Sequence, residues 1–231
     1  PVNLGIVGNV NSCIEKTEGD LIVQTNGDDV SVPDRVSKLV QKWQSAPDVM
    51  LVHSTSRYLS LDGVLGEYCN TRPEAHYRNS PVSYIMDGYY ALGASAAYDR
   101  RIFEHFGPLS DVAVVEDCII PFRARVLGQV LKVDEVLVWL RPGGVSDGND
   151  EKRKLEMASY VAARRATNAL AIIQDLKLVS FPGKQSALLA CRMKLWEANL
   201  RRAGLERILT KVRPTLRRVL RPLIHSFTSR T

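Results

Sequence analysis

Two rhythms of apolar and polar residues run along this chain, and the boundary between them falls near residue 148. Before it, short runs rich in Val, Ile and Leu are broken by Gly, Pro, Asn and Asp and interleaved with helical spacing; from Asn149 onward helical spacing alone remains. Ser12 and Glu15 stand at capping-box spacing, which predicts a short helix over Asn9 to Lys16 closed by Gly19. Leu21 to Thr25 reads as a short buried strand that ends in the acidic turn Asn26-Gly27-Asp28-Asp29. Pro33 then opens a helix whose Val36, Leu39, Val40 and Trp43 share one face, the face expected to bury. Val49 to His53 is a second strand, Tyr58 to Tyr68 is extended chain around an Asp62-Gly63 turn, and Asn70 to Pro81 is a polar loop. Ala91 to Tyr98 is a further strand, after which Asp99 caps a brief helix ended by Gly107.

Pro121 orders the next segment. It lacks a backbone donor and fits only the first turn of the helix marked by Ile120, Ala124 and Leu127, so Glu116 and Asp117 fall at that helix's N-terminus. Val130 to Val133 and Val136 to Leu140 read as two short strands, Arg141 to Gly148 as a glycine-rich loop, and the helices beyond break at Leu178 to Lys184. Strand and helix alternate as in an α/β domain.

Length and composition narrow the picture. At 231 residues and 45% hydrophobic, the chain can bury one sizeable core and an appendage. No apolar run approaches the ~20 residues that span a bilayer, and no basic stretch followed by an apolar run opens the sequence. Cys13, Cys69, Cys118 and Cys191 lack the paired spacing of a zinc or redox motif and read as reduced thiols of a cytoplasmic protein; the four histidines form no ligand cluster. From Leu200 to Thr231, nine Arg or Lys face the single acid Glu206, so this stretch carries +8 of a net +6 and leaves −2 for the rest. The basicity is local, which points to an anionic surface met by the tail and away from nucleic acid.

The run Asn3-Leu4-Gly5, Asn11, Gly19-Asp20 and Asn26-Gly27-Asp28-Asp29 with Pro33 and Arg35 resembles the segment of family 2 glycosyltransferases that leads into their DxD motif. Gly93-Ala94-Ser95, Arg101-Ile102-Phe103, Phe106-Gly107, Glu116-Asp117, Arg123, Gly128 and Arg141 resemble, in order and spacing, that family's acceptor-side half. The resemblance implies a GT-A-like (Rossmann-like) α/β domain over residues 1–146, a mixed sheet flanked by helices, followed by a helical C-terminal extension over residues 147–231. It also implies a nucleotide-sugar donor, a hydroxyl acceptor on a glycan or glycolipid, and Mg2+ or Mn2+. The strand-helix-strand unit that grips the nucleotide base in that family has no counterpart before Pro1, so the sequence reads as beginning partway through the domain.

Chemistry gives the matched residues their expected roles. A departing nucleoside diphosphate carries several negative charges that a hard cation on one or two carboxylates neutralises, which assigns the metal to Asp28, with Asp29 as a neighbour or second contact in donor binding. Asn26 stands where the family has its first acid and is left to hydrogen-bond the donor. An acceptor hydroxyl needs a base opposite the leaving group, and by resemblance that base is Asp117, with Glu116 in support and inversion as the outcome. The helix N-terminus is expected to favour the ionised form of Asp117. Arg141 and the loop to Ser146 resemble the segment that closes over the diphosphate, while Arg123 reads as a helix-surface or ion-pair residue with no catalytic role. Leu205, Ile208, Leu209, Val212, Leu216, Val219, Leu220, Leu223 and Ile224 recur at helical spacing among arginines, an amphipathic pattern suited either to the inner face of an anionic membrane or to packing on the domain. Two other readings stay open: a non-catalytic relative that binds glycan or protein, and a membrane-surface assembly module carried by the tail.

Overall fold

The computed structural model describes residues 2–88, 91–113, 115–142, 151–205, 209–212, 214, 215 and 218, with the backbone alone for 151–163. Six strands form one mixed sheet: β1 (Leu21–Val23), β2 (Val30–Ser31), β3 (Val49–Leu59), β4 (Leu65–Cys69), β5 (Ala96–Asp99) and β6 (Gln129–Leu140). Their order is β1-β5-β3-β6-β2, with β4 pairing β3; β3 and β6 run parallel and every other pair is antiparallel. The helices are α1 (Gly5–Glu15), α2 (Arg35–Trp43), α3 (Pro81–Asp87), α4 (Arg101–Phe106), α5 (Ile119–Leu127), α6 (Glu151–Leu178) and α7 (Lys184–Arg202).

The sheet is covered on both faces, and β3 is buried from Val49 through Ser56 as the strand between two layers must be. One layer packs Leu51, Ala96, Tyr98 and Val130 against α3, α4, α5, α6 and α7; the other packs Val49, Val52, Ala97 and Leu131 under Leu39 of α2. Ala169, Ile172, Leu176, Ala187 and Cys191 of α6 and α7 join the same core as α5. A buried charge pair clamps them. Arg123 of α5 donates from Nε and Nη2 to both oxygens of Asp175 on α6 at 2.8 Å, and also to the carbonyls of Gly107 and Pro108, over the face of Phe106.

Several elements differ from the sequence reading. The first helix begins at Gly5, where Asn3 Oδ1 accepts the Gly5 amide proton, so Ser12 lies mid-helix and caps nothing. Pro33 precedes the N-cap Asp34, and α2 is rotated: Val36 is 55% exposed, while Arg35 is buried and reaches beneath the acidic turn to the Gln24 carbonyl (2.5 Å) and Ser31 Oγ (2.9 Å). The two strands expected between Val130 and Leu140 are one, because a register shift against β3 between Ser54 and Thr55 expels Asp134 and Glu135 to solvent. Asn70 to Pro81 holds a short 3-10 turn at Glu74–Arg78, and α3 follows directly with Pro81 in its first turn. The strand expected from Ala91 narrows to β5, and β2 was not anticipated. The hairpin at Asp62-Gly63 forms as expected, with Gly63 at φ +82°.

All four cysteines are free thiols. No helix among the described residues is long and apolar enough to cross a membrane. Most of the loop from Arg141 to Gly148, and most of the basic stretch after Leu205, lie outside the described residues.

Candidate active site

Two segments distant in sequence meet where β1 leaves the sheet. The chain runs from Val23 through Gln24, Thr25 and Asn26 into the turn at Gly27-Asp28; facing it, Val115-Glu116-Asp117 runs into α5. With α1 as a third wall, they enclose a cleft of about 690 Å3. Asn26, Asp28, Glu116 and Asp117 all line it, as do Arg164 of α6 and apolar residues of α1 such as Val10 and Ile14. The position beyond a strand's carboxyl end is where open α/β sheets place their ligands.

Asp29 and Arg141 are placed differently. The Asp29 carboxylate accepts from Asn26 Nδ2 and from the Arg141 backbone N–H, both at 3.1 Å, and so ties the turn to the end of β6. Burial raises its carboxyl above the ordinary range, the Arg141 N–H works against that, and neither residue is part of the cleft wall. The Arg141 side chain is exposed.

The two neighbouring acids have separate environments. Glu116 is buried and its Oε1 accepts from Gln24 Nε2 at 2.8 Å; Gln24 Oε1 in turn accepts the Tyr98 hydroxyl proton at 2.8 Å. Asp117 titrates far from its usual value: burial first, and then the charge of Glu116, push its carboxyl up to about 6. The expectation that the helix end would favour its ionised form is corrected here. The first amides of α5, those of Ile119 and Ile120, donate to the Glu116 carbonyl instead, and desolvation outweighs what remains of the dipole.

Sequence reasoning passed over Gln24, Tyr98 and Arg164. Gln24 is a lone polar residue closing an apolar run, a faint signal by itself, and Arg164 sits in a helix with no motif. A Cβ on Gly93 would collide with both Glu116 Oε1 and Gln24 Nε2, so that glycine lets the cleft wall approach their contact.

Among the described residues, no group of three His, Cys, Asp or Glu side chains is arranged to hold a metal ion. Asp28 is the exposed carboxylate of the acidic turn on the cleft wall, so the donor set does not fit a cage built by protein alone. It fits a hard cation shared with an anionic ligand and water, the usual mode for Mg2+.

Residues 1–106 match the family model described as Glycosyl transferase family 2. Comparison with curated proteins gives no match. Among solved structures, the mannosyltransferase PcManGT of Pyrobaculum calidifontis, in complex with GDP-Man and Mn2+, aligns at 16% identity and a TM-score of 0.49 over 95% of this chain and 62% of its own. Glucosyl-3-phosphoglycerate synthase of Mycobacterium tuberculosis, in complex with phosphoglyceric acid, aligns at 16% identity and a TM-score of 0.41 over 79% and 59%. The chain thus spans about three-fifths of the length of these two structures.

Proposed function

We propose, from the match of residues 1–106 to the model described as Glycosyl transferase family 2, that the chain takes part in inverting transfer of a sugar from a nucleotide-sugar donor to a hydroxyl of a glycan or glycolipid acceptor. The observation that carries this reading is the convergence of Asp28 and Asp117, from opposite segments, on one cleft. Asp28 is the residue to hold Mg2+ or Mn2+ jointly with the donor's diphosphate; such an ion, when bound, neutralises the charge of the leaving group. Asn26 contacts the donor, and Asp29 with the Arg141 backbone keeps the turn in shape.

Asp117 serves as the base. As the acceptor oxygen forms its bond to the anomeric carbon, Asp117 takes the hydroxyl proton while the bond to the diphosphate breaks on the opposite face, and the configuration inverts. A carboxylate with a pKa of about 6 suits proton abstraction, since it is ionised at neutral pH yet binds a proton more tightly than an ordinary aspartate. Glu116 contributes the adjacent charge that sustains this affinity. Arg164 adds a cation to the cleft, where anionic parts of the substrates pass.

Isothermal titration of the protein with UDP and GDP, with and without Mn2+, tests the reading. The expected result is Mn2+-dependent heat with one nucleotide, weakened ~10-fold or more in Asp28→Asn, which corresponds to about 1.4 kcal/mol. Absence of heat with either nucleotide overturns it and favours a non-catalytic glycan- or protein-binding relative, a reading that the uncharged Asn26 already supports. The tail supports peripheral contact with an anionic membrane: its basic amphipathic pattern suits such a surface, where each cation adds ~1 kcal/mol. Cosedimentation of the whole chain with acidic vesicles, absent with neutral ones, checks it.

A further inference from the structure

We infer that Gln24 is a positioning residue that binds the segment carrying Asp28 to the segment carrying Asp117 and commits Glu116 to a supporting role, so that Asp117 alone faces the acceptor as base. The inference rests on the reading of Asp117 as that base and adds a residue the family resemblance did not indicate.

Gln24 is held at every polar atom. Its backbone N–H donates to the Ala96 carbonyl at 3.1 Å and its carbonyl accepts from Arg35 Nη2 at 2.5 Å. Its side chain bridges Tyr98 of β5 and Glu116 of the facing loop, both at 2.8 Å. The chemistry fixes which way the amide points: an ionised carboxylate can only accept, so Nε2 faces Glu116 and Oε1 is left for the phenol proton. A side chain anchored at both ends does not rotate. Gln24 lies four residues before Asp28, and Glu116 immediately precedes Asp117, so this bridge joins the two segments that carry the acids. Gly93 lies against the same contact, where any side chain would strike both partners.

The bridge also divides labour between two adjacent carboxylates that otherwise compete for one proton. Glu116 is faced by Gln24 from the β1 exit and lies near Tyr98 of β5; Asp117 is faced by Glu116, by Cys118 and by Arg164 of α6. With its donor in place Glu116 stays pointed at Gln24, and its charge, held beside Asp117, raises the proton affinity of that neighbour. Without the donor the Glu116 side chain is free to turn away, its charge recedes from Asp117, and Asp117 becomes the weaker base.

The test is a carboxyl 13C NMR titration of the whole chain with the Asp117 signal assigned through Asp117→Asn, alongside turnover of the nucleotide sugar selected by calorimetry. In Gln24→Leu the Asp117 midpoint is expected to fall by roughly one pH unit. The acid limb of the pH-rate profile should fall with it, and kcat should drop by roughly 100-fold at unchanged donor KM, the scale of a displaced catalytic group. If Gln24→Leu does not fold, Tyr98→Phe decides by the same measurements, since it frees one end of the amide and should move both in the same direction by less. An unmoved midpoint and unchanged kcat in the folded variant overturn the inference while Asp117→Asn remains inactive. Turnover retained in Asp117→Asn instead overturns the assignment of the base itself.

Discussion

Replacing Asp117 by asparagine should cost activity and gain stability, with opposite signs that one structural fact predicts. The carboxyl is raised from 3.8 to about 6, chiefly because folding removes it from water. A folded-state pKa above the unfolded one means the folded protein binds this proton more tightly. The stability from this group is therefore complete below about pH 3.8 and is lost as pH rises through about 6. A difference of roughly two units at about 1.4 kcal/mol each makes the ionised group cost the fold about 3 kcal/mol above pH 7. The loss of the backbone hydrogen bond that the carboxylate accepts reduces the gain, so Asp117→Asn should be more stable than its parent by about 1–3 kcal/mol at pH 8 and equal to it near pH 4. Urea unfolding of both proteins at pH 4, 6 and 8 reads this directly. Comparison at equal pH cancels the titrating groups that do not interact with Asp117. Sugar transfer should be lost in the variant, while nucleotide affinity from calorimetry is unchanged. A variant less stable at pH 8, or a difference that does not vary with pH, refutes the account of why Asp117 titrates high.

Two further outcomes concern the core. His53 is fully buried with neither ring nitrogen hydrogen-bonded, and burial, reinforced by Lys132, pushes its pKa down to about 3. Its contribution is present above the unfolded value of 6.5 and lost as pH falls toward 3, roughly 3 kcal/mol by about pH 4.5, so His53→Leu should flatten this acid-side decline in urea unfolding. Asp175→Ala strands the Arg123 guanidinium in the interior and should destabilise by about 3–5 kcal/mol, whereas replacing both partners with apolar residues of similar volume should restore most of that loss.

The sequence made the acids legible because their surroundings are local. Pro121 can stand only in a helix's first turn, and that alone put Glu116 and Asp117 just ahead of α5. The strand before Asp28 and the break between α6 and α7 were equally readable from their apolar rhythm and flanking residues. What escaped was decided by partners far along the chain. Gln24 and Glu116 stand 92 residues apart, and nothing near Gln24 announces its bond. Arg35 is buried in α2 where an apolar side chain was expected, and it donates to the Gln24 carbonyl beneath the acidic turn, a partner eleven residues away. The two-residue β2 has too few positions to show a period, and the bulge in β6 passes for a gap between strands. The proton affinity of Asp117 was misjudged because an amide dipole can be counted from sequence and desolvation cannot.

The clamp between Arg123 and Asp175 has a reach beyond its own neighbourhood. Asp175 and Arg164 lie eleven positions apart on α6, roughly 16 Å of rigid rod at 1.5 Å per residue. One end of that rod is bolted to α5, which starts at the acids; the other carries a guanidinium into the cleft. Damage at the bolt would therefore register as a change in how the far end meets charged substrates, and a defect there would mimic a lesion in the chemistry while leaving every reacting group intact.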